Sequence, residues 1–362
     1  MQEALWQHGY AGARQVRAKS LEQAQQAMTE AQLEFPVIVK PVNSGASDGV
    51  RLCWNDEEVG AAINENIGEL GVYHLVKSAV VIQEYLQGDE FVVNTVSLKG
   101  GHRVLDMWHT FKHAEGSLIF YGHQMLVGDS SSHPDIVEFC LQVLDAVGLA
   151  GGAGHLEVVR TRRGVRLIEI NPRAHGHSPR ASQQVGEDQI SALATAIARP
   201  DEFHLRASHS PHYKVHGDPP QLVMVVFLRA DKDSEVHRSD IMRIIGLSTF
   251  WRFDRIGVPM FADSVREAGA DSFWVSSETQ GLFTVPLTVL LRGTEQELKA
   301  DLAHIRAIEG NMYKPFGTND PALYTGPLEG ANAAKWQADA LRRANVPKVG
   351  YRLEVLPGKS FQ

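Results

Sequence analysis

Leu167-Ile168-Glu169-Ile170-Asn171-Pro172-Arg173 is the stretch from which the rest of this chain can be read. Strand alternation puts Glu169 and Asn171 on one face. Arg162-Arg163-Gly164 reads as the turn of a hairpin joining Gly154–Thr161 to Gly164–Asn171, which brings Leu156-Glu157 across from them. Two carboxylates and an amide oxygen on otherwise apolar strands are costly without a cation. Hard oxygen donors of this kind suit Mg²⁺ bridging phosphates. Arg173 follows directly, placed to grip a carboxylate or phosphate by a two-pronged contact. The plainer reading, an Arg–Glu surface pair, fits poorly with the apolar neighbours Leu167, Ile168 and Ile170.

Two upstream segments point the same way. Phe35–Pro41 (FPVIVKP) is a β-branched run ending at Lys40, followed by the polar loop Asn43–Gly49 and a strand at Val50–Trp54. Gly45 and Gly49 allow sharp turns and close backbone approach. Ser44, Ser47 and exposed N–H groups can donate to phosphate oxygens, and Lys40 adds a cation. Alone, this is a polar hairpin tip. Val81-Ile82-Gln83-Glu84-Tyr85-Leu86, then Gly88 and Glu90, is an apolar strand running into a loop. It can offer backbone groups and a carboxylate to an adenine amino group, and Glu90 to ribose hydroxyls. Alone, it is a solvated acidic loop.

Taken together and in this order, the segments resemble the ATP-grasp superfamily: FPVIVKP, SGASDGV, QEYL-x-G-x-E, HLE and LIEINPR, spanning Phe35 to Arg173. The resemblance implies an α+β ATP-grasp fold, two subdomains gripping ATP, with a lid-like C-terminal subdomain. It implies that Lys40 and the Ser44–Gly49 loop meet ATP phosphates and that Gln83, Glu84, Leu86 and Glu90 meet adenosine. Glu157, Glu169 and Asn171 would hold Mg²⁺ (or Mn²⁺), and Arg173 with Lys40 would serve catalysis. The implied activity is ATP-dependent carboxylate–amine ligation through an acyl phosphate. A closer similarity, to L-amino acid ligases of the bacilysin-synthetase and dapdiamide-synthetase type, rests on Trp108-x-x-x-Lys112 with Tyr121, and on VVFLR (225–229) and VPLTVLLRG (285–293). It implies amino acid substrates near Lys112 and Tyr121, while His177 and Arg180, just after the metal strand, and His123 read as pocket residues by their position. Rival readings are a carboxylase-like or purine-biosynthetic ATP-grasp ligase, and a non-catalytic nucleotide-binding partner of a complete ligase. Retention of Glu157, Glu169, Asn171 and Arg173 speaks against the last.

On this resemblance the family's usual first domain and first phosphate-binding lysine are expected to be absent from this sequence, with Met1–Gly9 falling just after where that lysine would lie. A natural short form, a partner chain supplying those parts, or a truncated start would each explain this. A homodimer, or a tail docked on the surface the missing domain would cover, is expected.

The mixture of hairpins and helices suggests α+β packing. Residues 1–115 read as a nucleotide-binding subdomain, 116–200 as a metal and substrate subdomain, 201–310 as a small C-terminal subdomain and 311–362 as a tail. Helices are expected at 2–8, 20–34 (Ser20 and Gln23 forming a capping box), 134–147, 183–197 and 295–308, with 200–220 as a connector. The 362 residues carry a net charge of −8, and the pI is near 6.1. Neither nucleic acid nor an anionic membrane is suggested as partner. Cys53 and Cys140, the only cysteines, suggest a reducing, cytoplasmic setting with no disulfide framework. His204, His209, His212 and His216 read as solvated residues of a loop, and His175 as a possible pocket neighbour.

Overall fold

The computed structural model describes all residues except 11, 177–185, 210, 231–233, 257–271, 277–278, 280–281 and 315–362. His177, Arg180 and nearly all of the expected tail lie outside that set. The N-terminal part runs α1 (Gln2–Gln7), β1 (Gln15–Ala18), α2 (Leu21–Glu30), β2 (Val37–Pro41), β3 (Arg51–Cys53), α3 (Asp56–Asn66) and β4 (Val80–Glu84). The middle runs β5 (Asp89–Leu98), β6 (Gly101–Glu115), β7 (Leu118–Leu126), α4 (Pro134–Ala146), β8 (Gly151–Thr161), β9 (Gly164–Asn171), α5 (Gln189–Ala198) and α6 (Pro200–His209). There follow β10 (Leu222–Phe227), β11 (Ser234–His237), α7 (Arg238–Ile245), β12 (Phe250–Ile256), β13 (Ser272–Ser276), β14 (Leu287–Gly293), α8 (Glu295–Met312) and β15 (Tyr313–Lys314).

Three sheets result: a four-stranded one ordered β1-β4-β2-β3, an eight-stranded one ordered β12-β14-β10-β7-β6-β5-β8-β9, and a small β13-β11-β15 sheet. The sequence grouped residues 89–115 with the first subdomain; here they are hydrogen-bonded into the eight-stranded sheet. Strands β10, β14 and β12, from the expected C-terminal subdomain, extend that same sheet through the Met224↔Met125 register of β10 on β7.

Local chemistry accounts for the element ends. Ser20 Oγ caps the helix by accepting from the Gln23 amide, as the sequence announces, while Gln23 Oε1 accepts from the amide of Lys19, one residue before the cap, in place of the Ser20 amide of a standard capping box. Asp188 caps α5 through the Ser191 amide, so that helix starts later than expected. Residues 200–209, expected as connector, are helical. Pro200 is tolerated at a first turn, Asp201 and Glu202 favour the N-terminal end, and Phe203 is fully buried. His204 and His209 therefore sit on a helix.

The four-stranded sheet packs Val37, Val39, Val80 and Ile82 on Ala24 and Met28 of α2 and Val59 and Ile63 of α3. One face of the eight-stranded sheet packs Phe91, Val93, Leu156, Val158 and Leu167 on α4 and on Leu5 of α1. The opposite face is left for the polar residues of β5, β8 and β9. Among the described residues no helix is long and apolar enough to cross a membrane.

Tyr213 pins the junction of β6 with the chain after β7. Its hydroxyl accepts from the Met107 amide at 2.9 Å and donates to the Val127 carbonyl at 2.6 Å. Tyr213→Phe should lower unfolding free energy by about 1–2 kcal/mol, because two backbone groups lose their partner. Urea denaturation checks this; an unchanged midpoint would assign Tyr213 a packing role alone.

Candidate active site

Register places the carboxylates. Glu157 on β8 pairs directly with Glu169 on β9, and His155 with Asn171. A register shift after Glu157 skips Ile168, so Val158 pairs with Leu167. Without it, alternation would put Leu167 beside Glu169 on the polar face; with it, Leu167 enters the core while Glu169 stays in the cleft. Across β5, Val92 pairs with Glu157 and Asn94 with His155, which puts Glu90 on the same face as Glu157.

A second shift does similar work on β6 and β7. Phe111 pairs with His123 but Lys112 with Tyr121, skipping Gly122. Tyr121 and His123, two residues apart, therefore end on opposite faces. Lys112 Nζ lies 4.3 Å from the Tyr121 ring centroid, 2.5 Å from Glu90 Oε1 and 3.8 Å from Glu157 Oε2. His123 instead stacks on Phe111, centroids 4.2 Å apart. The structure thus joins Lys112 and Tyr121 to the carboxylates and separates His123 from them.

Lys40, from the end of β2, donates to Gln83 Oε1 at 3.2 Å. Burial pushes its pKa down, against the attraction of Glu169 and Glu157. Burial also opposes the charge on Lys112, but Glu90, Tyr121 and Glu157 outweigh it and hold that pKa well above the ordinary value. Glu157 behaves as the mirror image: burial disfavours its charge, yet Lys112, His155 and Lys40 keep its carboxyl well below the ordinary range. Glu90 is pushed up by burial, despite Lys112, with Glu157 and Glu169 adding to the rise.

The glycine-containing loop is braced rather than loose. Asp48 accepts from Ser44 Oγ at 2.5 Å and from the Val72 amide at 3.3 Å, and pairs with the buried Lys77 at 3.0 Å. Ala46 and Ser47 adopt φ of 55° and 62°, and Gly49 71°. Two successive non-glycine residues in this region store strain of a kind found at ligand clamps. Gly45 lies so close to the Tyr73 hydroxyl that a β-carbon there would clash.

Glu84 differs from its sequence reading. Its carboxylate accepts from the Arg14 amide at 2.9 Å and from Arg163 Nη2 at 2.7 Å, with the Arg14 side chain alongside. Burial raises its pKa, but these donors more than offset it and the net shift is downward. An adenine contact at Glu84 is therefore left to the backbone. Leu86 is half-buried in the 85–88 connection. Arg173 is exposed, donating to the Ala174 carbonyl at 2.9 Å. The long-range bonds of Arg14, Arg163, His155 and Asp48 were not legible: these partners lie 24 to 79 residues away.

A divalent cation fits the donors present. Glu157 and Glu169, paired across the ladder, supply carboxylates. Asn171 Nδ2 donates to Glu169 Oε1 at 2.7 Å, which leaves its oxygen as the third donor. Among the described residues no three His, Cys, Asp or Glu side chains gather as metal ligands. Two carboxylates and an amide suit an ion that takes its remaining oxygens from phosphate and water.

A family model described as an ATP-grasp domain matches residues 33–180. Over 317 residues the chain is 26% identical to dapdiamide A synthase of Enterobacter agglomerans, covering 86% of this chain and 70% of that protein. It is 29% identical over 147 residues to a D-alanine–D-alanine ligase of Lacticaseibacillus casei, 38% of either chain. The crystal structure of an L-amino acid ligase from Bacillus licheniformis superposes with a TM-score of 0.60 at 16% identity, over 87% of this chain and 71% of that one.

Behind the cleft, rings stack in a row: His133, Phe91, His109, Phe111 and His123. Burial lowers the pKa of His109, His123 and His133, against nearby Asp89 at His109 and with Arg306 and Arg160 adding at His123 and His133; that of His123 falls from 6.5 to about 4. Each ring takes up a proton more readily unfolded than folded. Stability should therefore rise with pH between about 4 and 6.5, then level off as unfolded histidines also lose their protons. Melting temperatures across that range check this, and His123→Phe should flatten the slope. Stability that falls over the window would contradict it.

Proposed function

Taking residues 33–180 as an ATP-grasp domain, we propose that this chain is an ATP-dependent ligase that joins a carboxylate to an amine through an acyl phosphate, with amino acids as substrates. The observation that carries this reading is the Glu157–Glu169 pair facing Lys40 and Lys112 on one sheet face. The extended match to dapdiamide A synthase and the shorter ones to D-alanine–D-alanine ligases favour amide formation between amino acids.

In this mechanism a substrate carboxylate oxygen attacks the γ-phosphorus of ATP, and ADP leaves. An amine then attacks the acyl carbon, phosphate leaves, and the nitrogen gives up a proton. Lys40 lies where it can meet charge spreading over the transferring phosphoryl oxygens, and Lys112 adds a second cation beside Glu157. Glu157, Glu169 and Asn171 would hold Mg²⁺ or Mn²⁺, which when bound neutralises phosphate charge. The Ser44–Gly49 loop, braced through Asp48, excludes water from the acyl phosphate. Arg173, just past Asn171, holds the anionic intermediate. Adenosine is held by the backbone at Glu84 and Leu86 and by Glu90.

Phosphate release screened over pairs of amino acids, with ATP and Mg²⁺, tests the proposal. Glu169→Gln should cut turnover by roughly 100-fold or more while leaving the chain folded. Near-normal turnover in that variant would remove Glu169 from the chemistry. Phosphate release that needs bicarbonate rather than an amine would favour the carboxylase-like alternative. As part of the same proposal the ligase works in the cytoplasm as a homodimer, or with a partner chain that completes the cleft. Light scattering on a fully active sample that proves monomeric would contradict this.

A further inference from the structure

We propose that His155 is a positioning residue that aims Glu157 at the metal, held by a buried polar row running across four strands. The inference rests on the metal reading above. Asp106 on β6, Asn94 on β5, His155 on β8 and Asn171 on β9 are successive register partners. The first three are 1%, 0% and 5% exposed. A fully buried position can be filled more cheaply by apolar side chains than by such a row. Its expense has to be repaid by something the row does at its open end.

Its bonds run in one direction. Asp106 Oδ1 accepts from the Trp108 indole N–H at 2.8 Å and from Asn94 Nδ2. A carboxylate only accepts, so Asn94 turns its nitrogen to Asp106 and its oxygen to His155. His155 Nδ1 lies 2.8 Å from that oxygen and is therefore the ring nitrogen that donates. The bond fixes the ring plane and points Nε2 at Glu157 Oε1, 3.5 Å away, a pairing the ring makes when Nε2 carries a proton as well as Nδ1.

The ring is also clamped from above. His175 stacks on it with centroids 5.0 Å apart and planes 13° from parallel. The His175 amide donates to Gln189 Oε1 at 2.7 Å, while Gln189 Nε2 donates to the Thr95 and Gly154 carbonyls at 3.0 Å each. The imidazole cannot turn without breaking this lattice. Glu157 is thus fixed from two sides, by Lys112 at 3.8 Å and by His155.

The test is direct metal binding rather than turnover. Free Mn²⁺ is followed by electron paramagnetic resonance as the full chain is titrated with a non-hydrolysable ATP analogue present. Two substitutions separate positioning from packing. His155→Asn keeps a group where Nδ1 bonds Asn94 but removes the end that reaches Glu157. His155→Gln keeps the reach. The proposal expects His155→Asn to weaken Mn²⁺ by about 10-fold or more and His155→Gln to stay closer to wild type. Asp106→Leu, which removes the acceptor that orients Asn94, should weaken Mn²⁺ too, and serves if the histidine variants fail to fold. Wild-type affinity in Asp106→Leu, or a His155→Asn chain that binds at least as well as His155→Gln, would overturn the proposal. A wild-type chain that binds the analogue but no Mn²⁺ would overturn the metal reading beneath it.

Discussion

Two carboxylates stand opposite each other on neighbouring antiparallel strands, Glu157 on β8 and Glu169 on β9. Like charges in that position repel and weaken a ladder. The surroundings answer that repulsion in kind. Lys40 arrives from the four-stranded sheet, Lys112 from β6, and His155 from one pleat further along β8. The Glu157 carboxyl is held low by these neighbours, whereas Glu90, more buried than compensated, is pushed up. The face is poised for added positive charge, which in the proposed function a divalent ion brought in with a nucleotide would supply.

The same constraint explains how the two larger sheets are joined. Lys40 can serve the carboxylates only if its sheet is held over theirs. Glu84, at the end of β4, receives Arg163 from the β8–β9 turn as well as Arg14 from its own sheet. In the short 85–88 connection, Gly88 passes so close to the Arg160 carbonyl that a β-carbon would overlap it. An acidic residue that reads as a ligand for adenine thus spends its carboxylate on holding the cleft's walls together. The 44–49 loop is tied back in the same manner, through Asp48 to Lys77 and the Val72 amide.

Much of the site was legible because its residues fall at the ends of strongly patterned strands. Lys40 closes a β-branched run, and Glu169 and Asn171 obey simple alternation. The ATP-grasp fold followed from the order of those strands. Three things were not legible, each for a physical reason. Bulges that skip Ile168 and Gly122 carry no clear local signature, so the faces of Leu167 and His123 could not be read from parity. Pairing of β10 onto β7, through which β14 and β12 join the sheet, links residues about a hundred positions apart. Helix α6 looked like a connector because residues 200–220 as a whole are rich in His, Pro and Ser, although Pro200 stands where a helix accepts proline and Phe203 is driven inward.

The central claim is that the Glu157–Glu169 face is completed by a metal–nucleotide complex and by neither component alone. Melting temperature measures this directly, since a ligand that binds only the native state raises it by mass action. The account predicts a clear rise for the wild-type chain with Mg²⁺ and ATP together, a much smaller one with either alone, and no added effect of Mg²⁺ in a Glu157→Gln, Glu169→Gln double variant. A double variant that gains as much from Mg²⁺ and ATP as the wild-type chain would contradict it.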